Sequence, residues 1–136
     1  MTACDNPLLT ITDFVDYAAV RPEHVTPAVT ALAEDVEKTL LQVLDASRPA
    51  TWENVVEPLN ESLGRLTRAW GVVGHLQSVC DTPELRDAYN RELPRVSELL
   101  LRISLDTRLY ERYKALRASD EFATLSPVRQ RILERD

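Results

Sequence analysis

Glycine occurs three times and cysteine twice in these 136 residues, and each shortage removes a class of protein. So little glycine leaves no phosphate-cradling loop, and the profile is helical rather than disordered or β-rich. The two cysteines, Cys4 and Cys80, form no close pair of the kind that binds zinc or exchanges disulfides. They are read as a mobile terminal thiol and a buried helical one. Long apolar runs are also missing: Leu99-Leu100-Leu101 is interrupted at once by Arg102, far short of a membrane span. Met1 to Asp5 carry no positive charge, and no apolar run near the start suits a signal peptide, so a cytoplasmic location and no membrane partner are expected. Clustered basic residues are scarce as well. Residues 1–68 hold 11 acids against 5 bases, and residues 69–136 hold 11 of each. The densest basic group, Arg129, Arg131 and Arg135, alternates with Glu134 and Asp136 and reads as a solvated helix face. No nucleic-acid partner is expected.

What is present is a chain 44% hydrophobic and 28% charged, long enough to bury a core as one domain. Residues 1–20 lack a sustained helical period and read as an extended arm packed over the rest. Arg21-Pro22 suggests a short turn. Thr26-Pro27 reads as a helix start, because threonine can cap free N–H groups and proline suits the first helical position. That helix is expected from Pro27 to Ala46, with Val29, Leu32, Val36, Leu40 and Val43 in one stripe.

Thr51 caps the next helical segment, in which Thr51-x-x-Asn54 is a weaker form of the capping box. Pro58 predicts a kink or break, since it removes a donor and crowds the carbonyl of Asn54. Beyond it, Val56, Leu59, Leu63, Leu66, Trp70 and Val73 mark the seam of a long helix. Gly71 and Gly74 inside that helix suggest a bend or the close approach of another backbone. Asp81-Thr82-Pro83 starts a helix running to about Leu105, bent near Pro94, with Leu85, Tyr89, Leu93, Val96, Leu100 and Ile103 facing inward. Leu99, Leu101 and Leu105 widen its apolar surface beyond one stripe. Asp106-Thr107 and Ser126-Pro127 begin two more helices, and the last reaches Asp136 without a stop signal, which reads as a truncation point. The expected fold is all-α: a bundle of four to five helices over residues 21–136 with the arm over 1–20.

Candidate chemistry is sparse. The two histidines, His24 and His75, are far apart in sequence and neither has a second histidine one turn away. Adjacent carboxylates such as Glu34/Asp35 and Asp120/Glu121 point in different directions. Ser62, Ser78, Ser97 and Ser104 have no histidine placed by a motif to activate them. Trp52 and Trp70 are read as core anchors. No catalytic residue and no metal ligand is assigned.

Several blocks carry a resemblance in order along nearly the whole chain: Asn6-Pro-Leu-Leu, Val20-Arg-Pro-Glu-His-Val-Thr-Pro-Ala-Val29, Ala50-Thr-Trp-Glu-Asn-Val-Val-Glu-Pro-Leu59, Trp70-Gly-Val-Val-Gly-His-Leu-Gln-Ser-Val79 and Asp81-Thr-Pro-Glu-Leu-Arg-Asp-Ala-Tyr89. Together they resemble the amino-terminal region of the oligopeptidase A group, in the thimet oligopeptidase family of zinc endopeptidases. The resemblance implies a mostly helical enzyme split by a deep channel, whose amino-terminal helices form one wall and restrict entry to short peptides. It also implies that zinc and its ligands belong to a carboxy-terminal catalytic portion. The family's His-Glu-x-x-His motif, which sets two imidazoles on one metal with a carboxylate beside its water, does not occur in these 136 residues. The chain also has Val72 and Gly74 where the family commonly has proline and serine. The implied role is therefore a channel-wall domain, inactive alone, with short peptides and the catalytic portion as partners. The alternative is a stand-alone helical module that binds peptide or protein in a groove.

Overall fold

The computed structural model describes residues 5–135, so Cys4 lies outside the described part. Five α-helices account for most of it: α1 (Pro22–Val43), α2 (Glu57–Val79), α3 (Pro83–Ser104), α4 (Thr107–Arg117) and α5 (Pro127–Arg135). No strand occurs among the described residues, so the fold is all-α as the sequence predicts.

Helix α1 starts one turn earlier than Thr26-Pro27 suggests. Pro22 stands in its first turn, where a missing N–H costs nothing. His24 completes the start: its ring Nδ1 accepts the Arg21 N–H at 2.9 Å, and its own N–H reaches the Arg21 carbonyl at 3.0 Å. Burial of Val25 and His24 favours this earlier start, and Pro27 is carried inside the helix. Thr26, free of capping, turns its hydroxyl to Glu92 on α3 instead. The helix also ends at Val43, before Ala46.

Thr51 caps as expected, its Oγ1 accepting the Asn54 N–H at 3.1 Å. The disturbance expected at Pro58 takes the form of a wide π-helical turn over Trp52–Val56, which feeds directly into α2 with Pro58 in its first turn. The break in α geometry thus falls just before the residue that cannot donate. Pro94 lies inside α3 without ending it.

Three contacts climb α1 and α3 together: Thr26 with Glu92, Thr30 with Arg95 at 2.9 Å, and Glu37 with Arg102. These two helices therefore run parallel, and α2, joined to each by a connection, runs antiparallel between them in chain order. Asp35 of α1 accepts from Ser62 at 2.8 Å and from Arg65 at 2.6 Å, both on α2. The core between the three helices includes Val25, Val36, Val43, Leu59, Leu66, Val73 and Val96.

The inward stripe of α3 differs from the expected one. Leu85, Ala88, Glu92, Val96, Leu99 and Ile103 are buried, while Tyr89 and Leu100 flank them and Leu93 is exposed. The stripe is rotated because small Ala88 and paired Glu92 face α1, a combination that hydrophobicity alone does not select. Tyr89 stacks on Trp70 with ring centroids 4.8 Å apart. The expected close backbone approach at Gly71 and Gly74 is absent: a Cβ at Gly71 would meet nothing within 4 Å, and the nearest atom to one at Gly74 is Cε2 of Tyr89 at 3.8 Å.

Helices α4 and α5 close one side. Arg112 on α4 donates through Nε to the Val43 carbonyl and through Nη2 to the Arg48 carbonyl, both at 2.9 Å. Leu133 of α5 is fully buried, Arg129 lies over the Trp52 ring at 4.8 Å, and Gln130 donates to the Phe122 carbonyl. The Trp52 N–H, an orphan donor at a helix start, is taken up by Glu121 at 3.0 Å.

Candidate functional site

Several of the residues that could have carried chemistry are engaged in structure. His24 is buried and its Nδ1 is occupied by the Arg21 N–H. The Asn6 side chain donates to the His24 carbonyl at 2.9 Å, and the same amide oxygen accepts the Leu8 N–H at 3.0 Å. The first resemblance block, Asn6-Pro-Leu-Leu, is thus a latch that fastens the arm to the start of α1 and buries Leu8. His75 is exposed rather than packed in the core, its ring tilted against Tyr17 with centroids 5.3 Å apart.

Ser62 spends its hydroxyl on Asp35, Ser78 on the His75 carbonyl and Ser104 on the Leu100 carbonyl. Burial tends to raise the Asp35 carboxyl, but the Arg65 and Ser62 hydrogen bonds outweigh it and hold it below the ordinary range. Such a group stays ionised and makes a poor general acid at neutral pH. Cys80 is exposed, not buried as expected, because α2 ends at Val79 and the thiol lies past the last packed turn. Trp52 is buried and Trp70 is half-buried against Tyr89, as core anchors.

A metal needs converging donors. Among the described residues no three of His, Cys, Asp and Glu form a group able to hold one, and one of the two imidazoles has a ring nitrogen already committed to a backbone donor. The donor set does not fit a zinc peptidase centre. Among the described residues no helix is long and apolar enough to cross a membrane.

The concave feature of interest is a groove of about 350 Å³ where α2, α3 and α4 meet. Leu59, Leu63, Ile103, Leu109, Tyr110 and Tyr113 give it apolar walls, and Asn60, Ser104 and Asp106 line its polar side. Asp106 is committed: it accepts the N–H groups of Arg108 and Leu109 and pairs with the Arg108 guanidinium at 2.8 Å. The Arg108 side chain, helped by those backbone donors and opposed by burial, holds its carboxyl below the ordinary value. Nothing here presents a nucleophile beside a base.

The family model for the N-terminal domain of neurolysin/thimet oligopeptidase matches residues 29–136. The chain belongs to that family. It is 42% identical over 129 residues to oligopeptidase A of Haemophilus influenzae, an alignment covering 95% of this chain and 19% of that protein. It is 39% identical over 133 residues to the organellar (chloroplastic/mitochondrial) oligopeptidase A of Arabidopsis thaliana, covering 98% of this chain and 17% of the relative. Oligopeptidase A of Escherichia coli is 38% identical over 129 residues, with 95% and 19% covered. The chain thus spans less than a fifth of the length of these oligopeptidases.

Sequence reasoning missed Glu92, Arg112 and Asn6 as the residues that join elements. Asn6 had a signal, since Asn-Pro-Leu-Leu is one of the resemblance blocks. Glu92 and Arg112 had none, because a charged residue on a helix is ordinarily solvated.

Proposed function

We propose that residues 1–136 act as a single helical domain, arm and bundle together, forming part of the channel wall of an oligopeptidase A-like zinc endopeptidase. In this reading the chain supplies no catalytic residue and no metal ligand, and zinc with its activating glutamate belongs to a carboxy-terminal catalytic portion. The domain limits access to the site, so that short peptides enter and folded proteins do not, and the enzyme works in the cytoplasm. The observation that carries the reading is the match to the family's N-terminal domain in a chain whose histidines are not gathered for metal. A stand-alone peptide-binding module would be expected to cover its apolar faces; the exposed Leu101 and Leu105 favour the enzyme reading instead.

The test is a chimera in which this chain replaces the matched region of the Haemophilus relative. Chelator-sensitive hydrolysis of short peptides by the chimera, with none by the isolated chain, is the expected result. A folded chimera that cleaves no peptide, or an isolated chain that cleaves one in a chelator-sensitive way, overturns the reading.

A further inference from the structure

We propose that the amino-terminal arm is a proton-operated strap, closed while the imidazole of His24 is neutral and released when that ring is protonated. Both ends of the arm are tied to this one residue. The Asn6 side chain donates to the His24 carbonyl at 2.9 Å, and the Arg21 N–H donates to His24 Nδ1 at 2.9 Å. Residues 6–21 therefore form an Ω-shaped loop whose ends meet at a single position. Between the ties Leu8 is buried, and Leu9 and Ile11 lie beside Leu32 of α1 and Arg65 and Arg68 of α2, so the strap covers part of the seam between those helices. Tyr17 rests against His75, whereas Phe14 is 89% exposed and contributes nothing to holding the arm down.

An accepting Nδ1 requires a neutral ring with its proton on Nε2. Protonation puts a second N–H where the Arg21 N–H already points, and two donors cannot share that bond. The new charge also stands in the first turn of α1, where the free amide dipoles disfavour a cation, on a residue only 7% exposed. Once the Arg21 end is free, Asn6 must close the loop alone against its entropy. The open arm accepts a proton that the closed arm refuses, so the strap is held at higher pH and lost as pH falls. The surrounding charges do not reverse this sign. Glu92 on α3 is committed to Thr26 and Arg95, and Asp81, past the end of α2, to Arg86. Arg21 and Glu23 flank the region in sequence with opposite charges, and Asp5 precedes Asn6 on the arm. Among the described residues no carboxylate forms an ion pair with the His24 ring. His75 on α2 is the other imidazole touching the arm, and its contact is with the ring of Tyr17.

The experiment is NMR of the chain at about pH 7.5 and about pH 5.5, which brackets the range in which imidazole ordinarily titrates. Amide order parameters at Leu8, Leu9 and Ile11 should fall from about 0.85 to below about 0.6 on acidification, while those of α1, α2 and α3 stay high. The His24 ring nitrogens should take up their proton at the same midpoint as the Leu8 signals move. His24→Gln places a non-titrating acceptor where a capping box carries one, so its arm should stay ordered at both pH values. His75→Gln should respond as the parent does. An arm that stays ordered at the lower pH, or is disordered at both, overturns the strap, as does loss of order throughout the helices. So does an arm that still opens in His24→Gln, or one whose response disappears in His75→Gln. Should His24→Gln not fold, the parent decides alone: coincident midpoints for the His24 ring and Leu8 support the strap, and separate midpoints overturn it.

Discussion

The hydroxyl of Thr26 donates a 3.0 Å hydrogen bond to the carboxylate of Glu92, joining α1 to α3 across 66 positions of sequence. Glu92 is only 4% exposed, and Arg95, 3.8 Å away on the next turn, is its ionic partner. A buried carboxylate oxygen deprived of its donor keeps its desolvation cost. Thr26→Val, which preserves shape, should therefore destabilise the chain by about 1–3 kcal/mol in urea unfolding, and Thr26→Ser by much less. Adding Glu92→Leu to Thr26→Val should recover part of the loss, because removing both partners is milder than stranding one. Equal stability of the valine and serine variants would dismiss the bond as a stabilising contact.

Arg112 closes the far end of α1 by reaching two carbonyls in different parts of the chain. A planar guanidinium spans both, whereas a lysine ammonium is a single point of donation. Arg112→Met should cost about 1.5–3 kcal/mol, with Arg112→Lys restoring only a fraction. Amide exchange should quicken at the end of α1 and in the following turn, and uniform exchange across the chain would contradict this placement.

Asp106 links stability to pH. Its carboxyl sits below the ordinary 3.8 because the Arg108 side chain, and then the backbone donors of Arg108 and Leu109, favour the charged form against burial. A lowered folded value means that the stabilisation is fully present above the unfolded value and is lost as pH falls through the folded one. Asp106→Ala should cost about 1 kcal/mol near neutral pH, as loss of a helix cap does. The gap between parent and variant should narrow below about pH 4; a gap that widens on acidification would refute the linkage.

Gly71 is exposed in the interior of α2, and a Cβ there meets nothing within 4 Å. Replacing glycine with alanine in an unstrained helix interior removes backbone freedom from the unfolded chain at no steric cost. Gly71→Ala should raise stability by about 0.5–1 kcal/mol, read as a higher melting temperature. A loss would mean that another surface uses the space.

Cys80 should react with a thiol reagent in the native protein carrying Cys4→Ser, without denaturant, since its side chain is exposed beyond the end of α2. Reaction only after unfolding would restore the buried reading.

The helices were legible where local chemistry and packing agree. Thr51 and Thr82 cap as their spacing predicts, and Asp106 opens α4, because each needs only a side-chain oxygen two or three residues from a free N–H. The signal at Thr26-Pro27 misled, since a threonine before proline looks the same whether its hydroxyl caps a helix or crosses to another. Cys80 was misplaced for a related reason: a helix end one residue away decides whether a thiol is packed or bare. The inward face of α3 was misjudged because periodicity weighs Leu93 above Glu92 without knowing that Thr26 and Arg95 stand opposite.

By itself the sequence determined an all-α chain of the oligopeptidase group, with its main helices, caps and anchoring tryptophans, because periodicity, capping and the ordered family blocks are local properties. Tertiary structure alone decided that Asn6 latches the arm, that Glu92 is buried, that Arg112 closes α1, and that Leu101 and Leu105 are exposed while Leu99 and Ile103 are buried. Each of these depends on what stands across from a residue. The free energy of burying a charge or exposing a leucine is set by that neighbour, and a one-dimensional pattern does not contain it.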